Sequence, residues 1–561
     1  MQPNKKLVSL FAMVALSWGC SEPSDAPAPD TDTPSPGPAW FEEVGAASGL
    51  IFNHVSGHDG RYLFPEILGG GGALFDMDGD GDLDAYLVQS GDARNPGGPR
   101  GENRLFRNDG GASFTDVTAQ SGTGDRGYGM GVVIGDYDND GDTDIYVTNL
   151  GRNVLLQNDG AGSFVDVTDS AGVGHEGWGT SGAFFDFDND GDLDLFVTNY
   201  IEWSLGIEQV CYGQSGLHDY CDPTNYNTPA TDTFYRNEGN GRFSDITEAA
   251  GFHTAFGNGL GVATADFDRN GFQDVFVAND TMVNQLWLNQ DGTRFVDESL
   301  LRGCAMDEHG KAKAGMGVAV ADIDDDSDVD IMVVNLHGQT DSVFRNEGGA
   351  FRDATGDAGL GQISRGHTRF GIGLVDLDND GYLDLFQANG RVTANNEPET
   401  EDIYAEVNAL YRGLPGGRFE YITLRGGTTT ALIETSRAAA FGDVDGDGGI
   451  DILVVNRDAP AHLLRNIAPG RGNWAALRVL DRNGRDAYGA TVSVTLGERV
   501  VTRDVRAAYS YCASNDPVVH IGLGAATKID AVEIRWIDGT IERFGAIDAG
   551  ATTTLQRGQG S

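Results

Sequence analysis

The chain has 561 residues, of which 85 are Asp or Glu and 38 are Lys or Arg, for a formal charge of −47. So acidic a protein lacks the basic face that nucleic acids require, which excludes nucleic-acid binding as a function. The hydrophobic fraction of 40% is enough for a folded core. The 81 glycines, which have no collagen-like period, indicate the many tight turns of an all-β repeat protein.

Residues 1–20 have the pattern of an export signal, in which two lysines precede an apolar run too short to span a membrane. The Gly-Cys pair ending at Cys20 resembles the lipobox of bacterial lipoproteins. This resemblance implies lipidation of Cys20 and a place in the bacterial cell envelope as an outer-membrane lipoprotein. Ordinary cleavage with full secretion is the alternative. Residues 21–39 are rich in Ser, Pro and Asp, which predicts a disordered tether, so the membrane is reached only through the N-terminal lipid.

An acidic nonapeptide of the form D-x-D-x-[DN]-G-x-x-D recurs seven times between residues 76 and 451. Carboxylates at positions 1, 3 and 5 of a tight loop can converge on Ca²⁺, glycine at position 6 permits the turn, and the acid at position 9 closes the shell. Magnesium fits less well because it retains waters, and zinc and copper prefer nitrogen or sulfur ligands. We therefore predict calcium as the cofactor, with up to seven ions. The predicted ligands are Asp76, Asp78, Asp80, Asp82 and Asp84; Asp136, Asp138, Asp140, Asp142 and Asp144; Asp186, Asp188, Asp190, Asp192 and Asp194; Asp266, Asp268, Asn270 and Asp274; Asp322, Asp324, Asp326, Asp328 and Asp330; Asp376, Asp378, Asp380 and Asp384; and Asp443, Asp445, Asp447 and Asp451.

Two of these acidic loops, numbered 1 to 7 along the chain, depart from the pattern. Loop 4 has Asn270 at position 5, so we expect it to bind calcium most weakly. Loop 5 has Ser327 in place of glycine, which predicts a strained turn. A single copy could be an ordinary Asp-Gly turn, but seven copies between apolar runs argue against that reading.

Four short strand patterns accompany each acidic loop, and four strands per repeat describe one blade of a β-propeller. The seventh repeat lacks its own fourth strand, whereas residues 40–50 carry a spare one at the start of the chain. We predict that this segment completes the last blade, which closes a ring of seven blades over residues 40–467.

These repeats resemble the FG-GAP/VCBS repeats of integrin α-like propellers, and the C-terminal part resembles the cartilage acidic protein 1-like, ASPIC/UnbV-containing family. The segments that carry the second resemblance are NWAALRVL (473–480), RDAYGATVSV (485–494), SYCASNDPVVHIGLG (510–524) and VEIRWIDG (532–539). Residues 468–561 are accordingly predicted as an ASPIC/UnbV domain with a small β-sandwich-like fold. The resemblance implies a calcium-binding surface or secreted protein for adhesion or recognition of glycan or protein ligands.

An insertion at residues 201–232 is the best candidate for specific recognition, with a structural cover over one blade as the alternative. Cys211 and Cys221 are predicted to form a disulfide within it. Cys304 and Cys512 either pair or remain buried thiols. The aromatic residues of the insertion are Trp203, Tyr212, Tyr220 and Tyr226.

Among the motifs of known catalytic sites, GxxxxGK[ST], HExxH and GxSxG are absent from the sequence, so an enzyme is not predicted. Secreted polysaccharide degradation and a role in envelope assembly remain as alternatives. Histidines near predicted strand ends either cluster at the central channel or are scattered. The residues concerned are His54, His58, Arg61, His309, His337 and His367.

Overall fold

Alternating apolar runs and glycine-rich turns fold into short strands in a computed structural model that describes residues 37–99, 101–423 and 425–561. The predicted signal peptide, Cys20 and nearly all of the predicted tether lie outside these described residues. Within them, no helix combines the length and apolar character that a membrane span needs.

The strands around the acidic loops form seven sheets in the described chain, each with four antiparallel strands, and the sheet of blade 1 gains a fifth, parallel strand from the C-terminal part. The inner strands of successive sheets lie side by side around a ring, so the predicted all-β propeller fold is confirmed. We number the blades 1 to 7 with their acidic loops. Their strands are Gly72–Phe75, Asp84–Leu87, Arg104–Asn108 and Phe114–Asp116; Tyr128–Gly135, Asp144–Leu150, Val154–Asn158 and Phe164–Asp166; Gly179–Phe185, Asp194–Asn199, Thr233–Asn237 and Phe243–Asp245; Gly259–Ala265, Asp274–Asn279, Gln285–Gln290 and Arg294–Asp297; Val318–Ala321, Asp330–Val333, Ser342–Asn346 and Phe351–Asp353; Arg369–Val375, Asp384–Asn389, Ala409–Leu414 and Arg418–Tyr421; and Ser436–Gly442, Asp451–Asn456, His462–Asn466 and Phe41–Glu43.

The last blade is completed by the start of the described chain. Phe41–Glu43 pairs antiparallel with His462–Asn466, with Phe41 opposite Asn466. This is the predicted closure, and it covers an edge that would otherwise be free to pair with another chain. Within the described residues the helices are one-turn elements between strands: Phe64–Ile67, Thr118–Ser121, Thr168–Ala171, Pro223–Tyr226, Phe252–Thr254, Ser299–Arg302, Ile363–Gly366 and Arg425–Gly427.

Glycines in the inner strands let neighbouring blades approach closely. A Cβ added at Gly131 would collide with the carbonyl oxygen of Thr180 in the next blade, and one at Gly317 would collide with that of Phe370. The recurring Gly-x-Gly pairs therefore serve packing between blades rather than phosphate binding.

An asparagine at the end of the third strand joins each of six blades to the preceding one. In blade 2, the Nδ2 of Asn158 donates to the carbonyl of Met77 in loop 1 at 2.8 Å and to that of Thr143 at 3.0 Å. The same two bonds recur in the other five. Blade 6 has Gly413 at this position and lacks the amide. The equivalent asparagines are Asn108, Asn237, Asn289, Asn346 and Asn466.

The C-terminal domain consists of two main sheets around a shared apolar core. It packs on the face of the propeller that carries the acidic loops. Arg535 lies 3.4 Å from Asp266 of loop 4, and the Nε2 of His520 lies 2.7 Å from the Oδ1 of Asn379 in loop 6. The strands of the two sheets are Asn473–Leu480, Val519–Gly524 and Thr552–Gln556; and Thr491–Leu496, Arg499–Asp504, Ala531–Arg535 and Ile541–Phe544.

Residues 508–516 of this domain, which we term the central plug, enter the middle of the ring of inner strands. Ala513–Ser514 pairs in parallel with the inner strand of blade 1, and Ser510 exchanges backbone hydrogen bonds with Val318 of blade 5. The backbone N–H of Cys512 donates to Ser181 Oγ of blade 3 at 2.9 Å. The side chain of Tyr511 is fully buried there. The channel is therefore filled by the protein itself.

Candidate metal centres and recognition face

Each acidic loop is shaped by its own carboxylates, as loop 3 illustrates. Asp186 at position 1 accepts the backbone N–H of Gly191 at 2.9 Å, which curls the loop. Asp194 at position 9 accepts the N–H of Phe187 at 3.0 Å and that of Asn237 at 2.9 Å, which fixes the loop to the third strand. Positions 1 and 9 thus organise the backbone and still offer free lone pairs toward the loop centre.

The carboxylate at position 3 of loop 3 has no such role, whereas Asp268 in loop 4 and Asp445 in loop 7 each accept the backbone N–H of position 5. The Oδ1 of Asp188 is buried and has no hydrogen-bond partner in the described part of the chain. A buried carboxylate oxygen without a partner is costly, and a cation placed beside it would remove that cost. The same unpaired atom occurs in Asp78, Asp138, Asp324 and Asp378.

In loops 1 to 4 the carboxylate oxygens of positions 1, 3 and 9 lie within 4.8 Å of one another. In loop 5 the converging residues are instead Asp322, Asp324 and Asp326, at positions 1, 3 and 5. Some of the predicted ligands at position 7 turn toward a neighbouring loop: Asp192 accepts from Asn139, and Asp328 pairs with Arg269. The sets for loops 1 to 4 are Asp76, Asp78 and Asp84; Asp136, Asp138 and Asp144; Asp186, Asp188 and Asp194; and Asp266, Asp268 and Asp274.

Burial disfavours the charged form of these carboxylates unless a cation lies beside them. Desolvation, with smaller contributions from neighbouring carboxylates, raises the pKa of Asp84 to about 8 and that of Asp186 to about 7. Burial also raises the pKa of Asp194 well above its usual range. A divalent cation at the loop centre would restore the charged form, because it replaces the lost hydration with direct oxygen coordination.

The two departures from the repeat are both visible in the backbone. In loop 4, Asn270 takes the place of the acid and donates its Nδ2 to the carbonyl of Asn289 at 3.0 Å. In loop 5, Ser327 adopts a φ of 72°, the left-handed conformation that glycine supplies in the other loops. The turn of loop 5 is therefore strained, as the sequence predicts.

The insertion at residues 201–232 lies at the end of the blades opposite the acidic loops, because it joins the second and third strands of blade 3. A disulfide joins Cys211 and Cys221. Tyr220 and Tyr226 are buried against other aromatic rings, whereas Tyr212 is 68% exposed. The insertion is thus both a cover and an exposed surface. Cys304 and Cys512 are separate buried thiols in the described chain.

A row of rings, which we term the aromatic patch, connects this insertion to the segment before blade 1. The ring of Tyr62 lies 4.7 Å from that of His218 and 4.8 Å from that of His58, and His218 lies 6.1 Å from Tyr212. Tyr62 has a φ of 59°, a strained conformation for a bulky residue. Sequence reasoning missed Tyr62 and His218, because no motif marks them and only the fold brings the two segments together.

The histidines do not form one cluster at the channel. His54 is buried, with its Nε2 3.0 Å from Ser90 Oγ, and burial lowers its pKa. His58 lies beside Glu66, with Nδ1 2.8 Å from Oε2. His309 is exposed, and His337 and His367 lie near each other at blades 5 and 6. The clustered alternative is therefore wrong, because the central plug occupies the space in which the histidines would meet.

Comparison with known families identifies the class of protein that this architecture defines. The FG-GAP-like repeat family matches residues 76–147, 136–197, 224–277, 266–333 and 322–386, and the ASPIC and UnbV family matches residues 480–561. The chain belongs to the FG-GAP-like repeat family and carries an ASPIC and UnbV domain at its C-terminal end.

Among curated proteins, the chain is similar to cartilage acidic protein 1. It is 25% identical to the Mus musculus protein over 325 residues and 24% identical to the Xenopus tropicalis protein over 338 residues. Each match covers 57% of this chain but only 39% and 40% of the two relatives, so the match spans about two fifths of their length.

Two solved lectins show weaker structural likeness. An Agrocybe aegerita lectin that recognises non-reducing terminal N-acetylglucosamine is 16% identical, with a TM-score of 0.37 over 73% of this chain and 90% of the lectin. The six-bladed fucose-recognising lectin of Aleuria aurantia is 10% identical, with a TM-score of 0.34 over 64% of this chain and 96% of the lectin.

Proposed function

We propose that this protein is a calcium-stabilised propeller that recognises ligands on the face opposite its acidic loops. Two sets of observations support the two halves of this proposal. The unpaired position-3 carboxylates of loops 1, 2, 3 and 6 support the calcium sites, and the aromatic patch supports the recognition face. The C-terminal domain covers the acidic-loop side, so the opposite side is the one left open to a partner.

The donor set fits calcium. Each regular loop offers several carboxylate oxygens, and the backbone turn brings them together. Ca²⁺ prefers such oxygen donors, at coordination numbers of six to eight. Asp186, Asp188 and Asp194 would hold the ion in loop 3, and Asp190 would complete its shell. The ion would supply positive charge that pins the first hairpin of each blade.

Melting of the full chain in calcium and in chelator tests this half. We expect calcium to raise the unfolding temperature by many degrees, because a ligand that binds only the folded state stabilises it by mass action. Magnesium at the same concentration should raise it less. Identical melting in calcium and in chelator would refute calcium stabilisation.

For the recognition face, glycans are the ligand class that the aromatic patch fits best. Exposed rings offer apolar faces to sugar rings at little entropic cost, and neighbouring polar groups orient the hydroxyls. Tyr212 supplies an exposed ring and Tyr62 a half-buried one, and the ion pair of Arg61 with Asp59, 2.9 Å long, lies at the edge of the patch. The disulfide between Cys211 and Cys221 holds the insertion in place, which lowers the ordering cost of binding.

A gel of the full chain with a panel of polysaccharides tests this half. We expect retardation of at least one intact polymer, lost in Tyr212→Ala and Tyr62→Ala at unchanged melting temperature. Leu301→Ala is the matched control, because Leu301 is 81% exposed and lies on the short helix after blade 4. Retardation that both tyrosine variants retain would contradict the assignment of the aromatic patch.

Polysaccharide degradation is a second candidate, and His58 is the observation that favours it. Glu66 is buried and orients the imidazole through Nδ1, which leaves Nε2 without a hydrogen bond in the described chain. Tyr220 lies 2.9 Å from the same nitrogen. A histidine held in this way can act as a general base. Shortening of the polymer on the same gel, abolished in His58→Gln, would favour an enzyme over a binding protein.

We further propose that the protein acts at the cell envelope through a lipid on Cys20. Metabolic labelling with a palmitate analogue tests this, with Cys20→Ser as the control. Equal labelling of both chains would contradict lipidation at this residue.

A further inference from the structure

Loop 5 differs from the other acidic loops in the cations around it. It carries six carboxylates in nine residues, and three arginines from elsewhere in the chain contact them. Loops 2 and 3, in contrast, have no Lys or Arg within ion-pair distance of their carboxylates among the described residues. The three arginines of loop 5 are Arg269, Arg345 and Arg499.

Arg345 lies inside the loop rather than at its rim. Its side chain is only 7% exposed. One guanidinium nitrogen, Nη1, lies 2.8 Å from Oδ2 of Asp330 and 3.2 Å from Oδ2 of Asp324. The guanidinium therefore bridges positions 3 and 9, two of the three positions that converge in loops 1 to 4.

The converging carboxylates of loop 5 are accordingly different. Asp330 at position 9 is absent from the group, and Asp326 at position 5 replaces it. Asp330 accepts from Arg345 and from the backbone N–H of Ile323 through the same oxygen, and from Asn346 through the other. Asp330 thus accepts three hydrogen bonds from protein donors, one more than Asp194 accepts in loop 3.

The surroundings explain why this arginine turns inward. The corresponding Arg107 and Arg236 pair instead with an acid two residues further on, Asp109 and Glu238. In blade 5 that acid is Glu347, and it pairs with Arg352.

Blade 6 supplies the remaining hydrogen-bond partner of Arg345. The other guanidinium nitrogen of Arg345, Nη2, donates to the carbonyl of Gly417 at 2.7 Å. A Cβ at Gly417 would collide with the guanidinium, so the glycine leaves room for it.

Loop 6 provides a contrast with the same residue type. Arg412 pairs with Asp378 at 2.7 Å and with Asp380 at 3.2 Å, but its side chain is 43% exposed. It makes no hydrogen bond to Asp384 at position 9 within the described chain. Arg412 therefore lies at the mouth of its loop, whereas Arg345 lies between the closing carboxylates.

We propose that Arg345 is the resident cation of loop 5, which keeps its shape without calcium while the regular loops take the ion. The inference rests on the proposed calcium binding of those loops. A buried guanidinium with several donors can satisfy two carboxylates at once, and it excludes a second cation from the same space by charge and volume.

Counting calcium ions per chain tests this inference. The full chain, Arg345→Gln and Arg107→Gln are equilibrated at one free calcium concentration, and bound calcium is measured by elemental mass spectrometry. We expect Arg345→Gln to bind one more ion than the wild type, and Arg107→Gln to bind the same number. An unchanged or lower count in a folded Arg345→Gln would overturn the inference.

A second pair of variants keeps the test decisive if Arg345→Gln does not fold. Asp188→Asn in loop 3 should lose one bound ion, whereas Asp324→Asn in loop 5 should retain the wild-type count. Loss of one ion in Asp324→Asn would overturn the role of Arg345. A wild-type chain that binds no calcium would instead refute the proposed calcium sites, so the two failures are distinguishable.

Discussion

Removal of one side chain from the central plug tests how strongly the C-terminal domain holds the propeller. Tyr511 is fully buried, its hydroxyl donates to the carbonyl of Leu68 at 2.8 Å, and its ring lies 4.9 Å from that of Phe370. Truncating a buried aromatic side chain costs about 3–5 kcal/mol. The carbonyl left without its donor adds roughly 1 kcal/mol. We therefore expect Tyr511→Ala to lower the free energy of unfolding by about 4–6 kcal/mol and Tyr511→Phe by about 1 kcal/mol.

Urea unfolding at fixed calcium, followed by circular dichroism and by tryptophan fluorescence, measures this effect. In the wild type we expect the two signals to change together, because the plug contacts inner strands all around the ring. In Tyr511→Ala we expect them to separate as the domains uncouple. A loss in Tyr511→Ala of less than about 1 kcal/mol would refute the claim that the plug supports the ring.

Three further predictions concern individual side chains. Asp188→Ala should lower the melting temperature in calcium more than Asp268→Ala, because loop 4 already lacks one acid; equal shifts would contradict this. Asn158→Ala should cost about 1–3 kcal/mol in urea unfolding, because two buried carbonyls of neighbouring loops lose their donor. Burial and the Arg369 guanidinium lower the pKa of His367 from 6.5 to about 4, so its contribution to stability is complete above pH 6.5 and is lost as the pH falls toward 4. Unfolding from pH 7 to 4 should show a loss of at most about 3 kcal/mol that His367→Gln lacks, and identical pH profiles would count against it.

Local sequence was sufficient to predict the blades because the pattern that specifies each blade repeats along the chain. The spacing of acids and glycine specifies each loop, and the alternating runs around it specify strands whose register the loop then sets. The spare strand at residues 40–50 and the missing strand after residue 466 predicted the closure by counting alone. The positive φ of Ser327 also follows from the sequence, because the turn demands that conformation from whichever residue occupies position 6.

The roles of single side chains depended on the tertiary structure. Arg345 and Arg107 occupy the same place in the repeat, yet one turns inward and the other outward, because the partner acid of Arg345 is taken by another arginine. Tyr62 and Tyr212 are far apart in the chain and share a patch only because the insertion of blade 3 reaches the segment before blade 1.

The sequence also did not predict the central plug. No local pattern in residues 508–516 predicts that they enter the ring. Ser510 and Cys512 adopt positive φ values because contacts with the inner strands hold them there. The sequence by itself determined the repeat, the strands and the acidic loops, since these rest on interactions between residues close in the chain. Only the tertiary structure decided which loop carries its own cation, which face is covered and which is open, because those outcomes depend on packing between segments hundreds of residues apart.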